Sequence, residues 1–311
     1  MTQPVICLMG ATATGKTEIA IGLRERFPVD IVSVDSALVY RGMNIGTAKP
    51  EPEVLAAHPH QLVDILEPEA SYSAGEFVID ARRAIDAIHA AGRIPLLAGG
   101  TMLYFRALTG GIADLPPADP AIRARIDAQA ADAGWPSMHQ RLRTVDPVSA
   151  DRINENDSQR IQRALEVYEQ SGVSLSQWQA KSTDNTRAAG LEFIKLGLVV
   201  EPRMRLHTRI QDRLKVMINN GLEEEIKVLM KRPKLTAQHP SMRSVGYRQF
   251  WEYLDGLTDR ETASNKALFA TRQLAKRQIT WMRSEVGLET FDALDSAVID
   301  AISRRIEAVL N

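Results

Sequence analysis

Gly10-Ala11-Thr12-Ala13-Thr14-Gly15-Lys16-Thr17 has the spacing G-x-x-x-x-G-K-[ST], a run that wraps backbone N–H groups around phosphate oxygens. Gly10 and Gly15 let the chain close on an anion, and Lys16 brings a mobile positive charge. The Thr17 hydroxyl is placed to ligate a magnesium ion that bridges two phosphates. A helix N-terminus opening near Lys16 adds positive potential. Nothing in the loop says whose diphosphate it holds. Two more polar groups stand at the ends of apolar runs: Asp35-Ser36 after Ile31–Val34, and Gly99-Gly100-Thr101 after Ile94–Ala98. In an open parallel sheet ligands collect at the carboxyl ends of the strands, so both groups should open beside the phosphate loop. Asp35 could take a proton from an attacking nucleophile that Thr101 orients. It could equally be an outer-sphere magnesium ligand or a helix cap, and Gly99-Gly100 could merely close a tight turn.

Those residues need parallel strands and crossover helices to hold them, and the first hundred residues have that pattern. Strands are expected at Val5–Met9, Ile31–Val34, around Leu62–Leu66 and at Ile94–Ala98. Helices are expected at Lys16–Phe27 and Ala74–Ala91, where Ile19, Leu23 and Phe27, then Phe77, Ala81, Ile85 and Ile88, recur at helical spacing. A proline-rich break at Leu115–Pro120 ends this regime. The chain then reads as helices alone to about Ser182, punctuated at Asp119-Pro120, Gly134, Asp146-Pro147 and Gly172. Glu192–Val200 returns to a strand pattern, Pro202–Met230 and Asn265–Glu285 read as long basic amphipathic helices, and the last twenty residues read as a terminal helix. The expected fold is α/β: a P-loop NTPase-like parallel sheet flanked by helices, with an inserted all-helical subdomain and a helical C-terminal part. Residues 1–114 form the first part of the core, 115–190 the insertion, and 191–311 the resumed core.

A length of 311 residues suggests about two domains. Hydrophobic residues at 44% and charged residues at 25% exclude a disordered or fibrous chain. Cys7 is the single cysteine, which excludes an internal disulfide and any multi-cysteine metal site; it lies on an apolar strand and is expected in the core. A reducing, cytoplasmic setting is expected. His58 and His60 flank Pro59 without metal-ligand spacing. No run of roughly 18 apolar residues occurs, so no membrane partner is expected, and the amino terminus has no secretory leader pattern. A net charge of -1 confines any nucleic-acid contact to a local basic groove.

Two classes of function fit the loop. One is a small-molecule or nucleotide kinase, or another ATP-binding enzyme; the other is a transferase whose leaving group is the bound diphosphate. A kinase commonly needs an Arg-bearing lid and a second acidic site for its metal, and no further apolar strand after Asp35 ends in an acid. Instead the chain carries basic, Gln-rich helices far from the loop. Gln159-Arg160-Ile161-Gln162-Arg163 opens one of them, and Arg272-Gln273-Leu274-Ala275-Lys276-Arg277-Gln278-Ile279-Thr280-Trp281 runs through another. Each alone is an ordinary solvated face; together they suit phosphate contacts and base-edge readout on an extended anion. Trp178, Trp251 and Trp281 could stack bases, although packing is the expectation for at least two of them.

Taken together, Gly10–Thr17, Asp35-Ser36, Val39-Tyr40-Arg41-Gly42, Gly46-Thr47-Ala48-Lys49-Pro50, Gly99-Gly100-Thr101, Gln159–Arg163 and Lys276–Trp281 make the chain resemble the tRNA dimethylallyltransferase family over nearly its full length. The resemblance implies transfer of a dimethylallyl group from its diphosphate to the exocyclic amine of the adenosine 3′ of the anticodon, in tRNAs reading codons that begin with U. It implies magnesium, dimethylallyl diphosphate held by Gly10, Ala11, Thr12, Ala13, Thr14, Gly15, Lys16 and Thr17, and catalysis by Asp35, Thr101 and Lys16. Arg213, in the cationic run Arg203, Arg205, His207, Arg209 and Arg213, is the candidate for a further diphosphate contact. The tRNA anticodon stem-loop would meet Asp35, Ser36, Ala37, Leu38, Thr101 and Arg123. It would also meet Gln159, Arg160, Ile161, Gln162 and Arg163, then Pro240, Ser241, Met242, Arg243, Ser244 and Val245. The last stretch implied is Gln273, Leu274, Ala275, Lys276, Arg277, Gln278, Ile279 and Thr280. The target adenine is stacked in free tRNA and is expected to be flipped into a channel opposite the diphosphate. The resemblance also implies a monomer of the compact bacterial form, without the Cys/His zinc module of some eukaryotic relatives.

Overall fold

The apolar runs of the first hundred residues need cover on both faces, which a parallel sheet between helices supplies. The computed structural model describes residues 3–310 other than 112, 114 and 182–189. Its elements begin with β1 (Gln3–Gly10), α1 (Lys16–Arg26), β2 (Val29–Val34), α2 (Pro52–Ala57), β3 (His60–Gln61), α3 (Ala74–Ala90), β4 (Ile94–Gly99) and α4 (Met102–Gly110). Helices alone follow: α5 (Pro120–Ala133), α6 (Trp135–Val145), α7 (Pro147–Arg152), α8 (Ser158–Ser171) and α9 (Leu175–Lys181). The chain continues with β5 (Leu191–Val199), α10 (Arg203–Asn219), α11 (Leu222–Met230), α12 (Tyr247–Leu254), α13 (Arg260–Arg283), β6 (Glu289–Asp292) and α14 (Val298–Leu310).

The six strands pair in the order β3-β2-β4-β1-β5-β6, all parallel. β1 is flanked by β4, with Ile6 opposite Leu96, and by β5, with Ile6 opposite Ile194. From β1 the chain works outward through β2 and β3, returns to β4, and only then crosses to β5. The carboxyl end of β1 is therefore the switch point where such sheets bind ligands. Ile6, Leu8, Ile31, Leu96 and Leu196 are fully buried beneath Ile19, Leu23, Ile302 and Ile306 of α1 and α14. On α3, Phe77, Val78, Ala81, Ile85 and Ile88 are buried, and Ser73 and Glu76 close a capping box at its start.

The chain forms two compact units, Met1–Leu108 with Gly190–Asn311, and Thr109–Ala189. The helical unit was expected at 115–190; residues 112, 114 and 182–189, which include the boundary at 114, lie outside the described residues. Within the helical unit, Ile126, Leu142, Ile161, Ala164 and Leu165 form the core.

Three elements differ from expectation. The strand expected around Leu62–Leu66 is instead His60–Gln61, because Leu62 and Asp64 take φ of 63° and 55° and turn the chain out of the sheet. Leu66 makes only an isolated bridge with Tyr40. The helix expected over Pro202–Met230 is two, α10 and α11, divided at Gly221, whose φ is 98°. The terminal helix starts only at Val298, because Glu289–Asp292 pairs with β5 as a strand too short and too polar to give a periodic signal.

Candidate active site

The phosphate loop leaves the carboxyl end of β1 and turns into α1. The turn depends on Gly15, whose φ of 91° is rarely open to an L side chain. Ala13 is also left-handed, at φ 64°, a conformation that costs on the order of 1–3 kcal/mol unless packing imposes it. Here packing does: Ala11 and Ala13 are buried against Val200, Leu206, Ile210 and Ala275, so α10 and α13 form the seat of the loop. The loop carbonyls are tied back by protein donors. Thr14 Oγ1 and Lys16 Nζ donate to the Ala11 carbonyl at 2.9 and 2.8 Å, and Arg209 Nε donates to the Ala13 carbonyl at 2.8 Å. The N–H groups of Ala13, Thr14, Gly15, Lys16 and Thr17 have no acceptor among the described residues, which is the arrangement an anion needs.

Burial, and then the charge of Arg213, pull the Lys16 ammonium down to about 8, against the opposing pull of Asp35 and Glu18. Arg213 is likewise lowered by burial, with Asp35 and Glu18 opposing, and its Nη2 donates to the Thr47 carbonyl at 3.4 Å. Lys16, Arg209 and Arg213 thus hold positive charge in a partly desolvated place, and a diphosphate is the group that would relieve it. Arg209 is a loop contact that sequence reasoning noted only as part of a cationic run. The signal was available: Arg209 and Arg213 are four apart on α10 and share a face. Thr17 lies in the first turn of α1, and its hydroxyl has no hydrogen-bond partner among the described residues. No cluster of three or more His, Cys, Asp or Glu is found among them. A single free hydroxyl at the mouth of an anion loop would suit magnesium, which takes its other ligands from substrate oxygens and water.

Asp35 follows β2, and its Oδ1 accepts the Ala37 N–H at 2.8 Å and the Leu38 N–H at 3.3 Å. This turn fixes the carboxylate and leaves Oδ2 without a partner among the described residues, so the cap and base readings are compatible. Thr101 Oγ1 accepts the Ser36 N–H at 3.1 Å and lies 3.4 Å from Ser36 Oγ, while the Thr101 N–H donates to the Val34 carbonyl at 3.2 Å. Such closeness requires Gly99, where a Cβ would lie 2.0 Å from the Val34 carbonyl oxygen. Asp35 and Thr101 are therefore brought to one strand-end edge, within the field of Lys16 and Arg213.

The stretch Val39–Pro50 is held from below. Glu225 of α11 accepts the N–H groups of Asn44, Ile45 and Gly46 at 2.8, 2.7 and 3.1 Å, and the Tyr247 hydroxyl at 2.5 Å. Lys49 Nζ is buried and donates to the Tyr40 carbonyl at 2.8 Å and to Asp64 at 2.5 Å. These contacts set the Thr47 carbonyl that receives Arg213. The motif most specific to the family is thus a mount for the site, and Glu225 carries no local sequence signal.

The RNA-contact candidates divide by exposure. In the helical unit, Arg123 Nε and Nη2 clasp buried Glu166 at 2.9 and 3.1 Å, and Arg163 Nη1 joins it at 2.7 Å. Gln162 donates to Asp127 at 2.5 Å, and Ile161 is buried in the core. Gln159 and Arg160 remain exposed in that stretch. In the other unit, the side chains of Met242 and Ala275 are buried, and buried Ser241 donates to the Pro68 carbonyl at 2.5 Å. Of the residues in these stretches, Ile161, Ser241, Met242 and Ala275 are buried and face the interior. Pro240, Arg243, Lys276, Arg277 and Thr280 are exposed, and Ser244, Leu274 and Ile279 are half-buried. Arg243, Val245, Gln273 and Arg277 line a groove of about 590 Å³ together with Arg248, Lys266 and Phe269. Phe269 is 65% exposed, and sequence reasoning missed it although it stands four residues before Gln273 on one face of α13. Among the tryptophans, Trp251 is buried, Trp281 lies under the Arg106 guanidinium at 4.9 Å, and Trp178 Nε1 donates to Ser171.

Comparison with known proteins follows the same outline. Residues 38–285 match the family model described as IPP transferase. A tRNA dimethylallyltransferase from Alkalilimnicola ehrlichii is 55% identical over 92% of this chain and 90% of its own length. One from Burkholderia mallei is 53% identical over 99% of this chain and 94% of its own. The crystal structure of the full-length tRNA isopentenylpyrophosphate transferase from Bacillus halodurans superposes with a TM-score of 0.72 at 33% identity, covering 99% of this chain and 96% of that one. A eukaryotic dimethylallyltransferase captured acting on tRNA superposes with a TM-score of 0.81 at 25% identity, covering 98% of this chain and 78% of that one. The phosphate loop on a six-stranded parallel sheet, the strand-end Asp35 and Thr101, and this likeness over nearly the whole length together establish that the chain belongs to the IPP transferase family.

Proposed function

We propose that this enzyme transfers a dimethylallyl group from dimethylallyl diphosphate to the exocyclic amine of the adenosine 3′ of the anticodon, in tRNAs reading codons that begin with U. The observation that carries the reading is the meeting of an anion loop ringed by Lys16, Arg209 and Arg213 with a fixed carboxylate, Asp35, at the next strand end. In this reading the loop N–H groups and the three cations bind the diphosphate and stabilise the charge that grows on it as the allylic C–O bond breaks. The Thr17 hydroxyl would be the protein group that holds a magnesium ion there, and such an ion would supply further neutralisation of the leaving group. The amine nitrogen attacks the allylic carbon and becomes acidic as the C–N bond forms. Asp35 Oδ2 accepts that proton, and diphosphate is the leaving group, so prenylated adenosine, diphosphate and a protonated carboxyl are the balanced products. Thr101 holds the Ser36 backbone and so keeps Asp35 in line.

The groove lined by Arg243, Arg248, Lys266, Phe269, Gln273 and Arg277 is the proposed seat of the anticodon arm, with cations for phosphates and an aromatic face for an unstacked base. A cytoplasmic monomer is proposed with it. The kinase alternative is not favoured, since the relatives named above are transferases to tRNA. The test is incubation with magnesium, unmodified tRNA and either dimethylallyl diphosphate or ATP, followed by nucleoside mass spectrometry and assay of released diphosphate. Prenyladenosine formed only with the allylic donor is the expected result; phosphoryl transfer from ATP without prenylation would replace this reading with the kinase.

A further inference from the structure

Gln278 was assigned above, by family resemblance, to the RNA-contacting face, yet both ends of its carboxamide are engaged inside the protein. Oε1 accepts the Thr12 N–H of the phosphate loop at 2.9 Å, and Nε2 donates to the Gly100 carbonyl at 2.8 Å. These two groups come from the ends of β1 and β4, the two strands that carry the donor loop and Thr101. The packing there is tight: a Cβ on Gly100 would lie 2.5 Å from Gln278 Nε2 and 3.1 Å from the Gly10 carbonyl oxygen. Gln278 also shares α13 with Ala275, which is buried under Ala11 and Ala13, and with Gln273 and Arg277, which line the basic groove. One rigid helix therefore touches the phosphate loop on one side and the groove on the other.

We infer that Gln278 is a positioning residue, whose carboxamide locks the phosphate loop and the Gly100-Thr101 turn in register by bridging the Thr12 N–H and the Gly100 carbonyl. The inference rests on the transferase reading for its consequence in turnover, but its first readout does not need that reading. Inorganic diphosphate with magnesium probes the loop without RNA or prenyl group. Gln278→Met keeps the length of the side chain and removes both hydrogen bonds. The expected result, measured by calorimetry, is a diphosphate Kd raised about tenfold, the size of one or two lost hydrogen bonds. The turnover number for prenyl transfer falls with it, while tRNA Kd stays within about twofold, because both polar ends are engaged inside the protein. Gln278→Glu is the second variant. It still accepts from Thr12, so the loop stays capped, but it cannot donate to Gly100 and places a carboxylate beside the anion. Its diphosphate Kd should rise above that of Gln278→Met. A tRNA Kd that rises in either variant while diphosphate Kd is unchanged would overturn the inference and make Gln278 an RNA contact. Unchanged diphosphate Kd in both, with only a lowered melting temperature, would overturn it in favour of plain packing. A wild-type protein that binds diphosphate but prenylates no tRNA would refute the transferase reading instead.

Discussion

Asp35 uses one carboxylate oxygen for its own turn and has no partner for the other among the described residues, and this decides which variant is informative. Removing the side chain would also release the Ala37 and Leu38 N–H groups. Asp35→Asn keeps an acceptor for them and abolishes the base. Turnover is expected to fall by about 10²–10⁴-fold, with diphosphate binding retained or tightened because a negative charge has left the field of Lys16 and Arg213. Single-turnover rates and calorimetry check the two halves, and an Asn variant with undiminished turnover would remove Asp35 from the mechanism. Lys16 supplies a second prediction. Its ammonium loses its proton near 8 in the free protein, so the affinity for diphosphate should fall as pH rises through about 8, and binding there should take up protons. Lys16→Arg, which stays charged, flattens that dependence in the same buffers. Stability moves the opposite way. Below about 8 the buried ammonium costs stability, and the cost is relieved as pH rises from about 8 toward the ordinary lysine value of 10.5, since the folded chain then holds fewer protons than the unfolded one.

At the scale of elements, α8 is fastened to the start of α5 by a buried charge. Burial pushes the Glu166 carboxyl up, but hydrogen bonds from Arg123, Arg163 and the Asp119 N–H outweigh it and hold the group below its ordinary value. Glu166→Gln leaves two partly exposed guanidinium groups facing a neutral amide, and the loss of charge-assisted hydrogen bonding costs about 1.5–3 kcal/mol. Hydrogen exchange across α5 and α8 should accelerate accordingly in the variant at neutral pH. With the folded carboxyl depressed, the stabilisation is present above the ordinary glutamate value of 4.5 and is lost as pH falls through the lower folded value. Wild type and variant should therefore converge in strong acid; equal exchange at neutral pH would count against the pair. The same scale explains what could be read in the sequence. The phosphate loop, Asp35 and Thr101 were legible because each is local to one strand end. The left-handed Leu62 and Asp64 hid the end of β3, and β6 was hidden by its brevity. Glu225 and Gln278 were illegible as supports of the site, because the backbone groups they hold there lie more than a hundred residues away and no spacing encodes the meeting. The specific run Gly46-Thr47-Ala48-Lys49-Pro50 marked the family correctly, and its lysine is a strut to Tyr40 and Asp64.

For the whole molecule, 38 basic residues against 39 acidic ones leave no net attraction for a polyanion, so affinity for RNA must come from where the charges are placed. Arg243, Arg248, Lys266 and Arg277 stand together in one groove with Glu252 as the single acid among its lining residues. Each phosphate that such a group neutralises releases condensed counterions, so tRNA binding should weaken linearly in log affinity against log salt. Arg277→Ala should lower that slope by about 1 and weaken binding most at low salt, the two lines converging as salt rises. Arg304→Ala, an exposed arginine on α14 outside the groove, removes the same formal charge and should leave the slope unchanged. Fluorescence titration of labelled tRNA over a salt series measures both. Equal changes in the two variants would mean that RNA senses only the total charge of the protein. A change confined to Arg277→Ala would locate the phosphate contact in the groove, on the helix that also seats the donor loop.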